Sequence, residues 1–495
     1  MASFRELYVF GDSASDVGSL AAALRRQTSP RGRYSGVTAH NTANNWQVLL
    51  RRRLNLPLTG NASSGFGLAN RFVAPPGAGS AGAPSFAVSG ATSGREHLAE
   101  FGDLRERLVA IAALRGRGLQ GQIEAALAQG VRPGSGDLTL IWGGANDLLL
   151  GVREGRKPQK VVRRTVRRML ANVEVMLRSG EARQIVASAL VPFAGEVNGV
   201  PYRLPYITEL LRRARQGKGG RSTRAWADYF RSNGSTELLE SFERGLERLR
   251  QRYPYAAIVG FRNEFESSWR RFGRRLGDFS DYGIRDSERA AQNSKGFADF
   301  SRQRIARFLH FDNVHFGESG NRMLARSLEL TLERNRQRFT GAALGRRRAG
   351  GDGDDRLRGS RDNDLLIGGG GADEMLGRSG NDVLIGGPGG DRMEGGRGAD
   401  AFLWRRGDLS GRPLDRIDDF NGGKGDRLAI TALLDGDDPF ANKGWRFIGA
   451  DRFSGRAREL RFSDGLLKGD VNGNGRAELR LRLAGVQSFS PDWIA

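Results

Sequence analysis

The chain contains no cysteine among its 495 residues. This absence excludes a disulfide scaffold, a cysteine nucleophile and a thiolate metal site. No apolar run approaches the roughly 18 residues that a membrane-spanning helix needs, and the first residues lack the apolar stretch of an N-terminal secretion signal. Glycine, by contrast, accounts for 71 residues, about twice its usual share of roughly 7%. That excess requires a local explanation.

Positive charge is in excess and unevenly distributed. The net charge is +22, yet residues 350–403 carry eleven acidic side chains against six arginines. A basic balance of this size is common among nucleic-acid-binding proteins, but no nucleic-acid motif accompanies it, so we expect no nucleic-acid partner. Two interpretations remain: a solvated, arginine-rich surface, or attraction to anionic substrates or to an anionic membrane surface.

Residues 1–340 alternate short apolar runs with longer amphipathic segments. The apolar runs predict buried strands at Leu7–Phe10, Leu138–Trp142, Ile185–Val191 and Ala256–Phe261. Helical spacing of apolar residues predicts helices at Leu104–Leu114, Val161–Arg178, Thr236–Arg252 and Ser319–Arg334. Strands separated by helices imply a parallel sheet covered on both faces. Residues 341–349 then have the composition of a linker.

An internal repeat with a period of nine follows the predicted linker and explains much of the glycine excess. Six units cover Gly350–Leu403. The sixth place of every unit is aspartate: Asp355, Asp364, Asp373, Asp382, Asp391 and Asp400. The eighth place is always apolar: Leu357, Leu366, Met375, Leu384, Met393 and Phe402. A flexible glycine- and aspartate-rich linker would not keep this register over six units.

The spacing of the repeat suits a calcium-binding turn followed by a short strand. Glycines permit the positive φ angles of a tight turn, while turn carbonyls and carboxylates are the hard oxygen ligands that Ca²⁺ prefers. If nine residues make half a coil, same-side turns lie two units apart. The expected site pairs are then Asp355 with Asp373, Asp364 with Asp382, Asp373 with Asp391, and Asp382 with Asp400.

These units resemble the haemolysin-type calcium-binding repeats of RTX proteins, and the resemblance implies a parallel β-roll with structural Ca²⁺. Two units depart from the pattern. In the second, Ser360 and Asp362 replace glycines, and in the fourth Arg378 replaces one. The site that uses Asp364 is therefore the least secure.

Residues 404–495 are strand-like, with turns. The segments Asp415–Ile430 and Gly469–Val486, together with the ending Phe489–Ala495, resemble the C-terminal region of serralysin-type and other type I secreted proteins. The segment that begins at Asp470 also has the alternating polar residues of an EF-hand-like loop, but without its final glutamate. An ion site and a polar β-turn both remain open there.

Four segments of residues 1–340 carry the parts that acyl transfer needs. They are Gly11–Gly18 directly after the first strand, Ser85–Ser93, Leu140–Leu149, and His310–Gly320 before the last helix. Ser13 at the carboxyl edge of the sheet is a weak nucleophile until a base takes its proton. His315 can serve as that base and Asp312 can orient it. The N–H groups of Ser13 and Gly90 and the Asn146 amide could bind the developing oxyanion.

In this order, the four segments resemble the GDSL esterase/lipase family of SGNH hydrolases. The resemblance covers about residues 1–335 and implies a flavodoxin-like three-layer α/β/α domain. It makes Ser13 the nucleophile, Gly90 and Asn146 oxyanion donors, and Asp312 and His315 the rest of the triad. His310 is the rival base. Phe316 is a departure, since many members have proline after the histidine.

A basic, aromatic insertion lies between Val197 and Ser235. Residues 200–235 hold eight basic and two acidic side chains and five aromatic ones. Because loops after strands overhang the active site in this fold, the insertion could press on anionic lipid headgroups. The alternative is one or two ordinary surface helices.

The sequence thus predicts an SGNH domain (1–340), a linker (341–349), an RTX β-roll (350–403) and a β-rich secretion region (404–495). The predicted function is a secreted serine ester hydrolase acting on an ester or lipid substrate, exported by a type I exporter without an N-terminal signal peptide. Alternatives are a phospholipase or lysophospholipase, a carbohydrate O-acyl esterase, and a non-enzymatic calcium-dependent surface or matrix protein. We expect calcium to fold the repeats and to have little effect on hydrolysis. We expect no cofactor to take part in catalysis.

Overall fold

The structure is a computed structural model, and it describes most of the chain in separate stretches. The described residues are 4–11, 46–56, 93–95, 118–128, 131–134, 136–178, 182–189, 194–232, 236–253, 255–261, 265–290, 307–310, 316, 318–342, 345–409, 414–430 and 444–494. The predicted helix Leu104–Leu114 lies outside them.

A parallel sheet organises the first 340 residues. Its strands, in spatial order, are β1 (Leu7–Phe10), β2 (Leu138–Trp142), β3 (Gln184–Ser188) and β6 (Ala257–Gly260). Every neighbouring pair is parallel, with Phe10 opposite Ile141 in the first. All four strands coincide with predicted ones, and the bounds of β1 and β2 agree residue for residue.

Successive residues of these strands face opposite sides of the sheet, and both sides are buried. Phe10 and Ile141 belong to one apolar cluster, and Val9 and Leu140 belong to the other. A strand buried on both faces reads as a continuous apolar run, because every position needs an apolar side chain. The three-layer α/β/α prediction is therefore confirmed.

Helices cover both faces of the sheet. The first cluster receives side chains from α2 (Leu119–Ala128), α3 (Ala145–Arg153), α4 (Pro158–Leu177), α5 (Pro205–Arg215), α6 (Gly220–Ser232) and α7 (Thr236–Arg252). The second receives them from α1 (Trp46–Arg53), α9 (Glu318–Arg334) and α10 (Arg336–Ala342), with α8 (Phe265–Phe272) packed against it. Two further strands, β7 (Asp286–Ala290) and β8 (Phe308–His310), pair with each other. Within the described residues, no helix is long and apolar enough to cross a membrane.

The basic insertion folds into a hairpin and two helices. The hairpin strands are β4 (Ala194–Val197) and β5 (Val200–Arg203), and the helices are α5 and α6. Tyr202, Trp226 and Tyr229 are at most 4% exposed, whereas Arg213 and Arg221 are exposed. These three aromatic side chains thus stabilise the core, which favours the interpretation as ordinary surface helices.

The nonapeptide tract forms two parallel sheets, as predicted for a β-roll. Units one, three and five give β10 (Arg356–Arg358), β12 (Glu374–Ser379) and β14 (Arg392–Arg397) in one sheet. Units two, four and six give β11 (Leu365–Ile367), β13 (Val383–Ile385) and β15 (Ala401–Leu403) in the other. Neighbours within a sheet are offset by two units, as Leu357 opposite Met375 shows. The place-eight side chains line the roll interior.

Strands outside the six units extend both sheets. β9 (Arg347–Ala349) lies inside the predicted linker and pairs with β11. The C-terminal strands are β16 (Asp415–Ile417), β17 (Arg427–Ala429), β18 (Arg446–Phe447), β19 (Glu459–Ser463), β20 (Leu466–Asp470) and β21 (Leu479–Leu483). Of these, β17 joins the sheet of β15 and the others join that of β14. The β-rich character predicted for residues 404–495 is confirmed, and this region completes the roll.

Candidate active site and calcium sites

The first candidate segment begins where β1 ends. Gly11 is held on both sides by the buried Gln122 of α2: its N–H donates to Gln122 Oε1 at 3.0 Å, and its carbonyl accepts from Gln122 Nε2 at 2.9 Å. Ser13 follows two residues later and lies outside the described residues. Gln122 therefore fixes the backbone immediately before the candidate nucleophile.

The turn after β2 carries the next candidate residue. Gly144 has φ +104°, and a Cβ there would lie 2.6 Å from the carbonyl oxygen of Ala189. Only glycine fits so close to the segment that follows β3 while adopting a left-handed φ. The turn leads into the first turn of α3, where Asn146 is 4% exposed and Asp147 is 1% exposed.

Asp147 connects two of the predicted segments. Its carboxylate accepts from the N–H of Ser93 and from Ser93 Oγ, both at 2.7 Å. Burial raises the pKa of Asp147, and the two Ser93 hydrogen bonds oppose that rise. Asn172 of α4 completes the junction by donating to the carbonyl of Ser93 at 2.9 Å. The end of the segment that contains Gly90 is thus fixed beside Asn146, while Gly90 itself lies outside the described residues.

The last candidate segment is bracketed by β8 and α9. Leu309 and Phe316 are buried in the same cluster, and a Cβ on Gly320 would lie 2.8 Å from the carbonyl oxygen of Leu309. The strand and the helix therefore approach each other closely around the segment between them. Asp312 and His315 lie outside the described residues, and for His310 only the backbone, in β8, is described.

Of the residues predicted for catalysis, the structure describes Asn146 and the ends of the segments that carry the others. β1 and β2 are adjacent and parallel, so their carboxyl ends lie at one edge of the sheet, where open α/β sheets bind ligands. The roles of Gln122 and Asp147 cannot be predicted from local sequence, because their partners lie 111 and 54 residues away. Their only signal in the sequence is that they are polar residues within apolar helical patterns.

In the roll, the repeat aspartates form two ladders of hydrogen bonds. The N–H of each aspartate donates to Oδ1 of the aspartate two units later, at 2.6–2.9 Å for the four pairs predicted from the sequence. Each pair therefore lies together in the structure. In every pair the Oδ1 atom of the later aspartate is occupied by a backbone donor, which leaves its Oδ2 atom to be accounted for.

Four Oδ2 atoms are buried and have no hydrogen-bond partner among the described residues: those of Asp373, Asp382, Asp391 and Asp400. Burial raises the pKa of Asp382 and of Asp391 to about 7 and that of Asp400 to about 8. A buried carboxylate without a partner is costly unless a cation compensates it. These oxygens are the atoms that a hard cation would bind.

The glycines of place one leave room beside these oxygens. A Cβ on Gly368 would lie 2.2 Å from Asp373 Oδ2, and one on Gly386 would lie 2.1 Å from Asp391 Oδ2. No group of three or more acidic or histidine side chains in the described part of the chain is arranged to hold a metal. Turn carbonyls would therefore have to supply most of the remaining ligands. That donor set, carboxylate and carbonyl oxygen, is the one Ca²⁺ prefers.

Asp364 differs from the interior aspartates. Its Oδ1 accepts from the N–H of Arg346 at 2.6 Å, and its Oδ2 accepts from the N–H of Ser360 and lies 3.0 Å from Ser360 Oγ. The serine that breaks the repeat pattern thus satisfies this carboxylate with protein donors. The other departure, Arg378, keeps the turn by adopting φ 82°.

Both ladders continue past the sixth unit, which the repeat count missed. Asp415 Oδ1 accepts from the N–H of Asp391, and Asp426 Oδ1 accepts from that of Asp400, both at 3.0 Å. Their second oxygens accept from Trp404 Nε1 at 2.7 Å and from the N–H of Asn421 at 2.8 Å. The ladders therefore end in carboxylates that are satisfied by protein groups.

The EF-hand-like loop is a compact polar turn. The carboxylate of Asp470 accepts backbone N–H bonds from Gly473, Asn474 and Gly475 at 2.7–3.2 Å. These three donors account for both oxygens, which agrees with the β-turn interpretation.

Comparison with known families agrees with both parts of the chain. The model of the GDSL-like Lipase/Acylhydrolase family matches residues 7–328, which is more than half of the protein. The chain belongs to the GDSL-like lipase/acylhydrolase family. As a member, it is a hydrolase of the esterase/lipase type that acts on esters. The RTX calcium-binding nonapeptide repeat matches residues 349–384 and 374–402, so the roll consists of calcium-binding repeats.

Solved structures are similar to about a third of this GDSL hydrolase. The AlgE6R2 subunit of the Azotobacter vinelandii mannuronan C5-epimerase is 33% identical, over 30% of this chain and 89% of that one, with a TM-score of 0.23. The AlgE6R3 subunit of the same enzyme is 32% identical, over 29% of this chain and 78% of that one, also with a TM-score of 0.23. No curated protein matches the chain.

Proposed function

We propose that the chain is a secreted serine hydrolase that cleaves carboxylic esters through an acyl-enzyme. Ser13 Oγ attacks the acyl carbonyl while His315 takes its proton, and Asp312 stabilises the imidazolium that forms. The protonated His315 gives the proton to the departing alcohol. Water, activated by the same histidine, then releases the acid and restores Ser13.

The observation that carries this proposal is the junction of Ser93 with Asp147. It fixes the end of the Gly90 segment against the helix turn that presents Asn146. In the proposed mechanism, the N–H groups of Ser13 and Gly90 and the side-chain amide of Asn146 donate to the oxyanion. Asp147 and Gln122 are positioning residues in this mechanism, because they hold the backbone of these segments.

A substrate panel tests the reaction and its specificity. Short and long nitrophenyl esters, phospholipids, lysophospholipids and acetylated glycans would each be assayed with wild-type protein and with Ser13→Ala. We expect turnover of at least one ester class by the wild type alone. Equal turnover by both proteins would contradict the role of Ser13, and no turnover by either would contradict the proposal and favour a binding role. The burial of Tyr202, Trp226 and Tyr229 leaves fewer aromatic side chains for the lipid contact that the phospholipase alternative invokes.

We further propose that the repeats bind structural Ca²⁺ through the free Oδ2 atoms of Asp373, Asp382, Asp391 and Asp400. Calcium is scarce in the cytoplasm, so the repeats would stay unfolded and threadable there. Outside, Ca²⁺ would stabilise the folded roll by mass action. The C-terminal ending fits this order of events, because Trp493 packs against Phe420 and Phe489 in the roll core, an arrangement that requires the folded roll.

Export is tested by gain of function. Residues 350–495 would be joined to an unrelated reporter in a host that carries a type I exporter, with residues 350–403 joined to the same reporter as the control. We expect secretion of the first fusion only. Retention of both, or equal secretion of both, would contradict an export signal within residues 404–495.

A further inference from the structure

The two outer faces of the roll differ in chemistry. Places seven and nine of each unit flank the inward place-eight side chain and therefore point away from the roll interior. In units one, three and five these positions hold Arg356, Arg358, Glu374, Leu376, Arg392 and Glu394. In units two, four and six they hold Leu365, Ile367, Val383, Ile385, Ala401 and Leu403, which we call the docking face. One face is charged, and the other is entirely apolar.

The hydrolase domain covers the docking face. Leu365 and Val383 have no exposed surface, and Ile385 and Leu403 are 1% exposed. They belong to one continuous cluster with residues of the hydrolase core, among them Leu177, Ala182, Tyr253 and Tyr255. The place-eight residues form a separate cluster inside the roll. The roll and the hydrolase domain therefore share an apolar core across the docking face.

Arg183 provides a polar contact within this apolar interface. It directly precedes β3, has no exposed surface, and donates from Nη2 to the carbonyl oxygen of Asp364 at 3.0 Å. Its guanidinium lies 5.4 Å from the ring centroid of Tyr255, whose hydroxyl donates to the carbonyl of Leu177 at 2.7 Å. Burial lowers the pKa of Arg183 to about 10, while Asp382 and Asp364 attract its charge. The side chain is thus a buried cation beside one carboxylate ladder.

The same ladders contain buried Oδ2 atoms that have no hydrogen-bond partner among the described residues, and a cation would compensate their charge. We propose that the roll completes the hydrolase core through the docking face. Calcium loading of residues 350–403 then stabilises residues 1–340. Arg183 is the fixed polar contact between the two parts. Without calcium the docking face is not assembled, and the hydrolase side of the shared core is exposed to water. The proposal adds an effect of calcium on the stability of residues 1–340 to the expectation that calcium folds the repeats and has little effect on hydrolysis.

Hydrogen exchange of the full chain, followed by mass spectrometry, tests the coupling without depending on enzymatic activity. Amides of β3 (Gln184–Ser188) and β6 (Ala257–Gly260) would be followed in excess Ca²⁺, after chelation, and after Ca²⁺ is restored. We expect exchange at least tenfold faster after chelation, with recovery when Ca²⁺ returns. Unchanged exchange in β3 and β6 while residues 350–403 lose all protection would overturn the proposal.

Two matched variants separate docking from roll folding. Ile385→Ser and Leu376→Ser both change an outward place-nine residue, but Ile385 is covered by the hydrolase domain and Leu376 lies on the other sheet, where it is half-buried. In saturating Ca²⁺, we expect Ile385→Ser to accelerate exchange in β3 at least fivefold and Leu376→Ser to change it less than twofold. Equal effects of the two variants would overturn the proposal.

Arg183→Met provides a further variant if Ile385→Ser does not fold. It keeps an apolar stem in the interface and removes the cation that contacts Asp364. We expect a several-fold rise in the Ca²⁺ concentration at which the β3 amides reach half of their full protection from hydrogen exchange. An unchanged midpoint would contradict the role assigned to Arg183.

Discussion

The hydrolase domain and the roll place their functional groups in opposite ways. In the roll, each candidate calcium ligand recurs at the sixth place of a nine-residue unit, and the parallel register brings Asp373 next to Asp391. In the hydrolase domain, the candidate groups come from segments separated by dozens of residues, and two of these segments follow the adjacent parallel strands β1 and β2. The roll's chemistry follows from local periodicity, whereas that of the hydrolase follows from the long-range topology of its sheet.

The largest effect should come from the proposed nucleophile. Ser13→Ala should lower kcat by at least about 10³-fold, because members of a catalytic triad act as a unit, while the fold is retained. Ester turnover measured alongside circular dichroism checks this. Substantial activity in a folded Ser13→Ala protein would show that the reaction does not pass through this loop.

The proposed base should matter as much as the nucleophile. His315→Ala should reduce kcat by a similar factor, and the double variant with Ser13→Ala should be no worse than either single variant. His310→Ala is the matched control, since both histidines flank Asp312, and it should retain most activity. If the His310 variant loses more activity than the His315 variant, the base has been assigned to the wrong histidine.

Within the roll, Asp391 and Asp364 occupy the same place of the repeat but should contribute differently to calcium binding. Asp391→Asn keeps the Oδ1 that accepts from Asp373 but removes the charge of the free Oδ2, so calcium titration should show the loss of about one bound ion or roughly tenfold weaker binding. Asp364→Asn should leave the calcium stoichiometry unchanged, because Ser360 and Arg346 already satisfy that carboxylate. Identical calorimetric titrations of the two variants would show that the unpartnered Oδ2 atoms are not the atoms that bind Ca²⁺.

The smallest effect concerns the glycines beside those oxygens. Gly386→Ala places a Cβ 2.1 Å from Asp391 Oδ2, whereas Gly370→Ala meets nothing closer than 3.5 Å. We expect Gly386→Ala to destabilise the calcium-loaded roll by about 1–3 kcal/mol, as crowding in packed sites does, and Gly370→Ala to cost much less. Thermal unfolding in excess Ca²⁺ measures the stability of both variants. A larger loss of stability for Gly370→Ala would contradict the tighter packing at Gly386.

The sequence predicted the strands and the repeat register well, because both depend on local patterns. The bounds of β1, β2 and α7 agree with the prediction, and the aspartate pairs lie two units apart as expected. The nine-residue period did not reveal Asp415, which follows its ladder partner by 24 residues instead of 18.

The docking face was visible in the sequence but was not recognised. The outward residues of units two, four and six are all apolar, a pattern that appears only when alternate units are compared, since neighbouring units belong to different sheets. The contacts of Asp147 with Ser93 and of Gln122 with Gly11 could not be predicted from the sequence. They depend on how the helices pack on the sheet, and no local pattern encodes that.

A serine-directed organophosphonate probe would show whether Ser13 is the nucleophile. The full-length chain in Ca²⁺ would be labelled, digested and mapped by mass spectrometry, with Ser13→Ala as the control. We expect a single modified serine, Ser13, and no labelling of the variant. An active wild-type protein that is labelled at another serine, or that is not labelled at all, would contradict it.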